Sequence, residues 1–267
     1  MPITADVAAL RSGISLPYAE HGDPGGIPVV LLHGLSDSHP CWEPILAHLP
    51  ESVHAYAVTA RGHGDASRPG SYTVADMAQD TVEFMDAVGL GSAIVVGHSM
   101  GSIVATRLAI DHPERVAGLV ILGAATTFLA GVGLQDMAAE LEAMCDPLDR
   151  DYLRDFQLST LARPIPPGML DEVVAESAKL SIATLRAALR DVCLVDFSDQ
   201  LGAITAPTLI VWGERDAICP REQQDALVAA IPDARLSIHE GGGHAFHWED
   251  PARFAAELTA FVDQVPR

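Results

Sequence analysis

The pentapeptide G-H-S-M-G at positions 97–101 separates two segments with different hydrophobic patterns. The β-branched run 93–96 before it predicts a buried strand, and the apolar spacing over 103–110 predicts a helix. Glycines at both ends of the motif allow a sharp strand-to-helix turn because they have no Cβ. Such a turn lifts the hydroxyl of Ser99 above the sheet edge, at a helix N-terminus whose partial positive charge favours an oxyanion. The motif therefore predicts a nucleophilic serine. The alternative is a glycine-rich turn with a serine of no special role.

A serine nucleophile needs a base, and the base needs an acid to orient it. The buried-strand pattern 207–212 runs into the loop Gly213–Asp216, which offers two acidic residues. Asp216 is the predicted acid because the chain has left the strand at that point. Glu214 is the alternative acid, and Asp216 could instead be a turn residue or pair with Arg215.

The base is predicted in a second loop, after the strand pattern 234–239. His244 follows three glycines, and such a loop can bend to deliver an imidazole. His247 is the alternative base, while His98 alternates away from Ser99 along its strand and is expected to pack in the core. The carboxyl ends of the strands of an open α/β sheet form one edge. The predicted nucleophile, acid and base are therefore expected to meet there.

The rest of the chain alternates strand and helix patterns, which predicts an α/β fold with a mostly parallel sheet flanked by helices. A capping box at Thr73–Asp76 is expected to begin a helix that ends near Val88. A shorter helix is expected over 42–49. Further strands are predicted at 15–21, 29–32, 53–58 and 118–122.

Five motifs, in this order along the chain, resemble those of the α/β-hydrolase superfamily. They are His33-Gly34 after the strand 29–32, Arg61-Gly62-His63-Gly64, the pentapeptide 97–101, Gly213–Asp216 and Gly243-His244. The similarity is greatest to the branch of small esterases, lactonases, carbon–carbon hydrolases and cofactor-free haloperoxidases. It implies an α/β-hydrolase fold with a Ser–His–Asp triad and no metal or organic cofactor. Two departures, at Ser102 and at Thr59-Ala60, are expected to change packing only.

The resemblance also implies an oxyanion hole. One donor is the backbone N–H of Met100, directly after the nucleophile. The other is the N–H of Leu35, because Gly34 lets the loop fold back over the elbow. Two N–H groups aimed at one oxygen stabilise a tetrahedral intermediate. The alternative interpretation of His33-Gly34 is an ordinary turn at the end of a strand.

The stretch 124–201 breaks the alternation, because it has helical spacing and no convincing strand pattern. We predict that it is a helical cap inserted into a core domain formed by residues 1–123 and 202–267. A cap over the sheet edge would form the substrate pocket and exclude water. Six residues are candidate pocket walls, although each could instead only join the cap to the core: Phe128, Leu129, Met137, Leu141, Phe156 and Leu161.

Composition limits the partners. A chain of 267 residues with 49% hydrophobic content suits one large α/β domain, and no apolar run of about 18 residues predicts a membrane span. A net charge of −20 disfavours nucleic acid and anionic lipid, although its plainer role is solubility. No signal-peptide pattern is visible, and the four cysteines lack metal-ligand spacing, so free thiols in a cytoplasmic protein without a metal are expected. Gly131-Val132-Gly133 lacks the rest of a dinucleotide fingerprint, so no nicotinamide cofactor is expected.

Together these features predict a serine hydrolase of small to medium, mainly apolar carboxylic esters or lactones. Its partner is a small-molecule substrate, and the chain is expected to be a monomer or a homodimer. A carbon–carbon bond hydrolase would use the same triad, with Arg163 or Arg186 of the cap binding a dienoate. Cofactor-free perhydrolysis is a second alternative, and a non-catalytic ligand receptor is a third.

Overall fold

The computed structural model describes residues 2–128 and 132–266. Within them, eight strands form one sheet in the order β1-β2-β4-β3-β5-β6-β7-β8. Strand β2 pairs antiparallel with β1 and with β4, and the other pairings are parallel. The prediction of a mostly parallel sheet is confirmed. The strands are Thr4–Ala9 (β1), Ser15–His21 (β2), Ile27–Leu32 (β3), Val53–Val58 (β4), Ala93–His98 (β5), Val116–Leu122 (β6), Thr208–Gly213 (β7) and Ala234–His239 (β8).

Helices cover both faces of this sheet, so the central strands are apolar on both sides. In β3, Val30 belongs to the core under α2 and α3, whereas Val29 and Leu31 belong to the core under α1 and α10. No described helix combines the length and the apolar character that crossing a bilayer requires. The helices are Glu43–Leu46 (α1), Val74–Ala87 (α2), Met100–Asp111 (α3), Val132–Glu142 (α4), Arg150–Ser159 (α5), Met169–Ser177 (α6), Ile182–Leu194 (α7), Arg221–Ala230 (α8), Phe246–Glu249 (α9) and Pro251–Val262 (α10).

Two elements differ from the sequence prediction. The antiparallel edge strand β1 has no predicted counterpart, because its residues are exposed except for Ala8 and give no apolar alternation. The single helix predicted over 42–49 is wrong: the chain forms a 3-10 turn at His39–Trp42 and then the one-turn helix α1. Each piece carries a proline in its first turn, where the missing N–H is tolerated, so two short helices begin in succession. The capping box is confirmed, since Thr73 accepts a hydrogen bond from Asp76 N at the start of α2 (3.1 Å).

Helices α4 to α7 follow one another between β6 and β7. They fall within the stretch 124–201 for which the sequence predicts helices. The chain enters and leaves this insertion at one place, where Phe197 N donates to Thr126 O (2.9 Å) and Thr127 forms an isolated bridge with Asp196. The insertion therefore begins and ends beside the carboxyl end of β6, next to the edge where the predicted site lies.

Candidate active site

Ser99, the predicted nucleophile, is the single residue between β5 and α3. Its φ of +52° and ψ of −117° lie in a region that residues with a Cβ rarely adopt. Hydrogen bonds hold this turn: Ser99 N donates to Leu122 O (2.9 Å), and Ser102 Oγ donates to Ser99 O (2.6 Å). Ser102, expected to alter packing only, thus also braces the turn.

The two glycines of the pentapeptide are required by close contact. A Cβ on Gly97 would lie 2.1 Å from Gly101 O, and a Cβ on Gly101 would lie 2.2 Å from Leu32 O. Both distances are far inside van der Waals contact with backbone that cannot rotate away. Strand, turn and helix therefore pack in this arrangement only with glycine at both positions.

Asp216 and His244 form a buried hydrogen-bonded pair beyond the ends of β7 and β8. The distance between His244 Nδ1 and Asp216 Oδ2 is 2.8 Å. The other carboxylate oxygen accepts hydrogen bonds from the backbone N–H groups of Ile218 (2.8 Å) and Cys219 (2.9 Å). Three donors fix the carboxylate, and its position selects the tautomer of His244 with the proton on Nδ1. The second ring nitrogen, Nε2, is thereby left as a base.

The alternative acid and base lie elsewhere. Glu214 is exposed and accepts a hydrogen bond from Gly241 N (2.9 Å). His247 is completely buried, with its ring centroid 5.0 Å from that of Trp42, and neither ring nitrogen has a partner among the described residues. Burial, together with nearby His244, lowers the pKa of His247 well below its usual value. The geometry thus brings Asp216 together with His244 and leaves both alternatives outside this pair.

The loop after β3 carries the other predicted oxyanion donor, Leu35. His33 Nε2 accepts a hydrogen bond from Ala60 N (2.9 Å), which leaves Nδ1 as the donor to Gly34 O (2.8 Å). Burial lowers the pKa of His33 well below its usual value, so the ring is neutral and holds the loop through both nitrogens. Leu35 and Met100 line the same cavity as the predicted nucleophile and base.

That cavity has a volume of about 40 Å³. Three predicted pocket residues line it: Phe128, Met137 and Phe156. Three further apolar residues of α4 and α7 also line it: Leu134, Leu189 and Val192. Two expected walls do not reach it. Leu141, one helical turn beyond Met137, is fully buried in the core, and Leu161 lies at a surface groove beside 163–168. Leu129 lies outside the described residues.

Three polar residues that the sequence analysis did not single out also line the cavity: Asp37, Gln157 and Thr160. Asp37 and Gln157 expose only 3% and 2% of their surface. Gln157 Nε2 donates to Asp37 Oδ1 (3.0 Å). Burial raises the pKa of Asp37 to about 7, although this hydrogen bond and the charge of His244 oppose the rise.

His98 packs under the base, as expected from strand alternation, and also contributes to the cavity lining. The distance from its Nε2 to His244 O is 3.2 Å, and the two ring centroids are 4.9 Å apart. Burial, with smaller contributions from His247 and His244, lowers the pKa of His98 well below its usual value. A neutral ring here supports the loop of His244 without adding charge beside it.

One cluster offers three metal-ligand types: Asp216, Cys219 and His244, whose donor atoms lie within 4.8 Å of one another. The first and third are already hydrogen-bonded to each other, and Cys219 Sγ–H donates to Gly123 O (3.1 Å). Burial raises the pKa of the Cys219 thiol well above its usual value, and nearby Asp216 adds to the rise. Because a thiol must lose its proton to ligate a metal well, this arrangement suits an acid–base pair better than a metal centre.

The two arginines considered for dienoate binding are engaged elsewhere. Arg163 Nε lies 3.2 Å from Glu249 Oε2. Arg186 donates to backbone carbonyls at the end of α4, including Leu141 O (2.6 Å). Neither arginine belongs to the described lining of the cavity.

A larger groove, of about 660 Å³, lies at the opposite edge of the sheet, where β3 and β5 begin. Among the described residues, neither a histidine nor a cysteine lines it. The smaller cavity, which holds a serine and a histidine, is therefore the candidate active site.

Comparisons with known proteins match this architecture. The model of a family described as the alpha/beta hydrolase family matches residues 29–257. A putative carbamate hydrolase, RutD, from Variovorax paradoxus is 32% identical over 273 residues, covering 94% of this chain and 97% of the relative. The family match begins within β3 and ends within α10, so it includes the loops of Ser99, Asp216 and His244 and the insertion.

Solved structures agree. Esterase RhEst1 from a Rhodococcus species is 27% identical, with a TM-score of 0.85, and the match covers 98% of this chain and 99% of that one. An esterase from Exiguobacterium antarcticum has a TM-score of 0.87 at 24% identity, covering 98% of this chain and 100% of that one. At 24% identity, the second structure supports the fold alone.

Proposed function

The chain belongs to the alpha/beta hydrolase family, and we propose that it is a serine hydrolase of small to medium, mainly apolar carboxylic esters or lactones. One observation carries the proposal. Ser99, at positive φ between a strand and a helix, shares a cavity with His244, whose Nδ1 is hydrogen-bonded to the buried Asp216. Nucleophile, base and orienting acid are the three parts that acyl transfer by serine requires.

The proposed reaction has two steps. His244 Nε2 takes the proton from Ser99 Oγ as this oxygen bonds to the substrate carbonyl carbon. The tetrahedral intermediate collapses, the bond to the leaving oxygen breaks, and His244 returns the proton to that oxygen. Water, deprotonated by His244, then attacks the acyl-enzyme and releases the acid and free Ser99. Asp216 holds the imidazole in place and stabilises the imidazolium in both steps.

The oxyanion that forms in each step is proposed to bind the N–H groups of Leu35 and Met100. Met100 begins α3, so its N–H belongs to the positive end of a helix dipole. Loss of one such donor typically raises the activation free energy by about 3 kcal/mol. His33, which holds the loop of Leu35 through two hydrogen bonds, acts here as a positioning residue.

We further propose that residues 124–201 form the cap of a core domain made of 1–123 and 202–267. Support comes from side chains of α4, α5 and α7, which line the cavity. The cavity of about 40 Å³ holds little more than a few atoms, so a longer acyl chain requires cap side chains to move. This favours small substrates in a mainly apolar pocket.

The proposal is tested with a fluorophosphonate probe and with p-nitrophenyl esters of graded chain length. Wild type should be labelled on the peptide that holds Ser99 and should release p-nitrophenolate in steady turnover, which a receptor would not do. Ser99→Ala should lose both properties. Ser92→Ala, which removes an exposed serine just before β5, is the matched control and should still be labelled. Labelling at another serine, or full turnover by Ser99→Ala, would contradict the proposal.

A further inference from the structure

The candidate cavity is polar on one side, and that polarity is not used by the proposed triad. Asp37 and Gln157 face it from different parts of the fold, the loop after β3 and the helix α5. Both residues are almost completely buried. Burying a carboxyl group is unfavourable unless it is hydrogen-bonded, so the pair requires a structural or functional reason.

Above the Asp37 pKa of about 7, where the carboxyl group is ionised, the hydrogen-bonding capacity left in this pair is that of an acceptor. The side-chain amide of Gln157 has two N–H bonds and already meets three oxygens, on Asp37 (3.0 Å), Ser36 (3.2 Å) and Ser177 (3.2 Å). Both N–H groups of the Gln157 amide are therefore already hydrogen-bonded within the protein. A carboxylate can accept about four hydrogen bonds, and Gln157 and the backbone of Gly34 supply two of them. The polar side of the cavity therefore matches a ligand that donates.

The carboxyl group lies close to the predicted oxyanion donor. A Cβ on Gly34, which precedes Leu35, would lie 2.9 Å from Asp37 Oδ2 and 3.0 Å from His98 Nδ1. A bare carboxylate this close to a forming oxyanion would repel it. A substrate donor bound to the carboxylate would screen that repulsion while it fixes the substrate in place.

We infer that Asp37, held in position by Gln157, binds an N–H or O–H donor on the acyl side of the substrate. Asp37 follows two residues after Leu35, whose N–H is proposed to bind the acyl oxygen, so we place the donor next to the reacting carbonyl. Small acyl compounds with a donor next to the reacting carbonyl, such as carbamic esters, are then preferred over plain aliphatic esters. This inference rests on the proposed serine-hydrolase function.

Two isosteric substrates test it: p-nitrophenyl carbamate and p-nitrophenyl acetate, which differ only by NH₂ in place of CH₃. The measured quantity is the ratio of kcat/KM for carbamate to that for acetate, at pH 8, above the pKa of Asp37, with the spontaneous reaction subtracted. Because kcat/KM covers the steps up to the release of p-nitrophenolate, slow hydrolysis of a carbamoyl-enzyme does not enter it. Comparing ratios between variants cancels the different intrinsic reactivities of the two esters.

In Asp37→Asn, the amide oxygen of Asn accepts the hydrogen bond from Gln157. The NH₂ group of Asn then faces the NH₂ group of the carbamate, and two donors cannot bind each other. The ratio should fall by about 10- to 100-fold, the value of one hydrogen bond to a charged group. Asp37→Leu, which removes the acceptor without adding a donor, should lower it in the same direction. Val192→Ala, an apolar change in the same cavity, should affect both substrates together and leave the ratio within about threefold of wild type.

The outcomes separate the two proposals. An unchanged ratio in folded Asp37→Asn and Asp37→Leu overturns the recognition role of Asp37 and leaves the hydrolase intact. Should both variants fail to fold, Gln157→Leu gives the answer through the same ratio. Absence of Ser99-dependent turnover of either ester in wild type would instead contradict the proposed function.

Discussion

Replacing Asp37 by Asn should remove a pH-dependent destabilisation of the folded chain. The side chain exposes 3% of its surface. Burial raises its pKa from 3.8 to about 7, whereas the unfolded chain restores the ordinary value because the carboxyl returns to water. Asn is nearly isosteric and does not ionise, so the variant keeps the packing and loses only the titration.

The sign follows from proton binding. Between pH 3.8 and about pH 7 the folded state retains a proton that the unfolded state has released, so the free energy of unfolding falls as pH rises. The contribution of Asp37 is fully present below its unfolded pKa and is lost as pH passes through its folded pKa. The whole difference corresponds to ~4 kcal/mol, of which ~2.5 kcal/mol falls between pH 5 and pH 8.

Urea unfolding at pH 5 and pH 8 measures this directly, with equal m-values required for the comparison. Asp37→Asn should gain about 2.5 kcal/mol of stability relative to wild type on going from pH 5 to pH 8. The buried histidines titrate in both proteins, so their contributions cancel in the difference. Asp263→Asn, at an exposed position, is the matched control and should show no such change.

The reasoning is refuted if the difference in the free energy of unfolding between Asp37→Asn and wild type is the same at pH 5 and pH 8 within about 0.5 kcal/mol. It would mean that the folded protein solvates or pairs the Asp37 carboxylate well enough to ionise it at low pH. The predicted result would instead identify a residue that lowers stability at neutral pH. Residues of that kind are typical of binding sites, where stability is given up for function.

Three further outcomes are expected. Asp216→Asn should lower kcat by about 10⁴, as in the serine-protease precedent, because the imidazole loses its tautomer control, while Glu214→Gln should change kcat little. Gly101→Ala should lower the melting temperature sharply or prevent folding, because its Cβ would lie 2.2 Å from the backbone of β3. Gly91→Ala, which has open space around it, is the control and should leave the melting temperature unchanged in the same thermal denaturation experiment. Met137→Ala should shift kcat/KM among p-nitrophenyl ester chain lengths by roughly 10- to 200-fold, as expected for one or two methylenes in an apolar pocket, without loss of phosphonate labelling.

Most of the fold could be predicted because the central strands are buried on both faces and so give continuous apolar runs. Strand β4, at Val53–Val58, has the bounds that the sequence predicts. Strand β1 was not predicted, because an edge strand with one buried residue has no continuous apolar run. The bounds of α1 were predicted wrongly for another reason. Pro40 and Pro44 each fit the first turn of a helix, and periodicity alone does not tell one eight-residue helix from two shorter pieces.

Part of the candidate site could also be predicted from strand patterns, and part could not. Ser99, Asp216 and His244 could be proposed from the sequence because each follows a strand, and parallel strands bring their carboxyl ends to one edge whatever the packing above them. Gln157 could not be found in this way. It lies on α5, 120 residues from Asp37 in sequence, and the helical period says which side chains share a face without saying what that face meets. The proposed recognition of substrate, unlike the predicted triad, depends on how helices α4 to α7 pack against the sheet. A tertiary contact of this kind leaves no spacing in the sequence, which is why the reaction can be predicted from the motifs while the substrate preference has to be tested at Asp37 and Gln157.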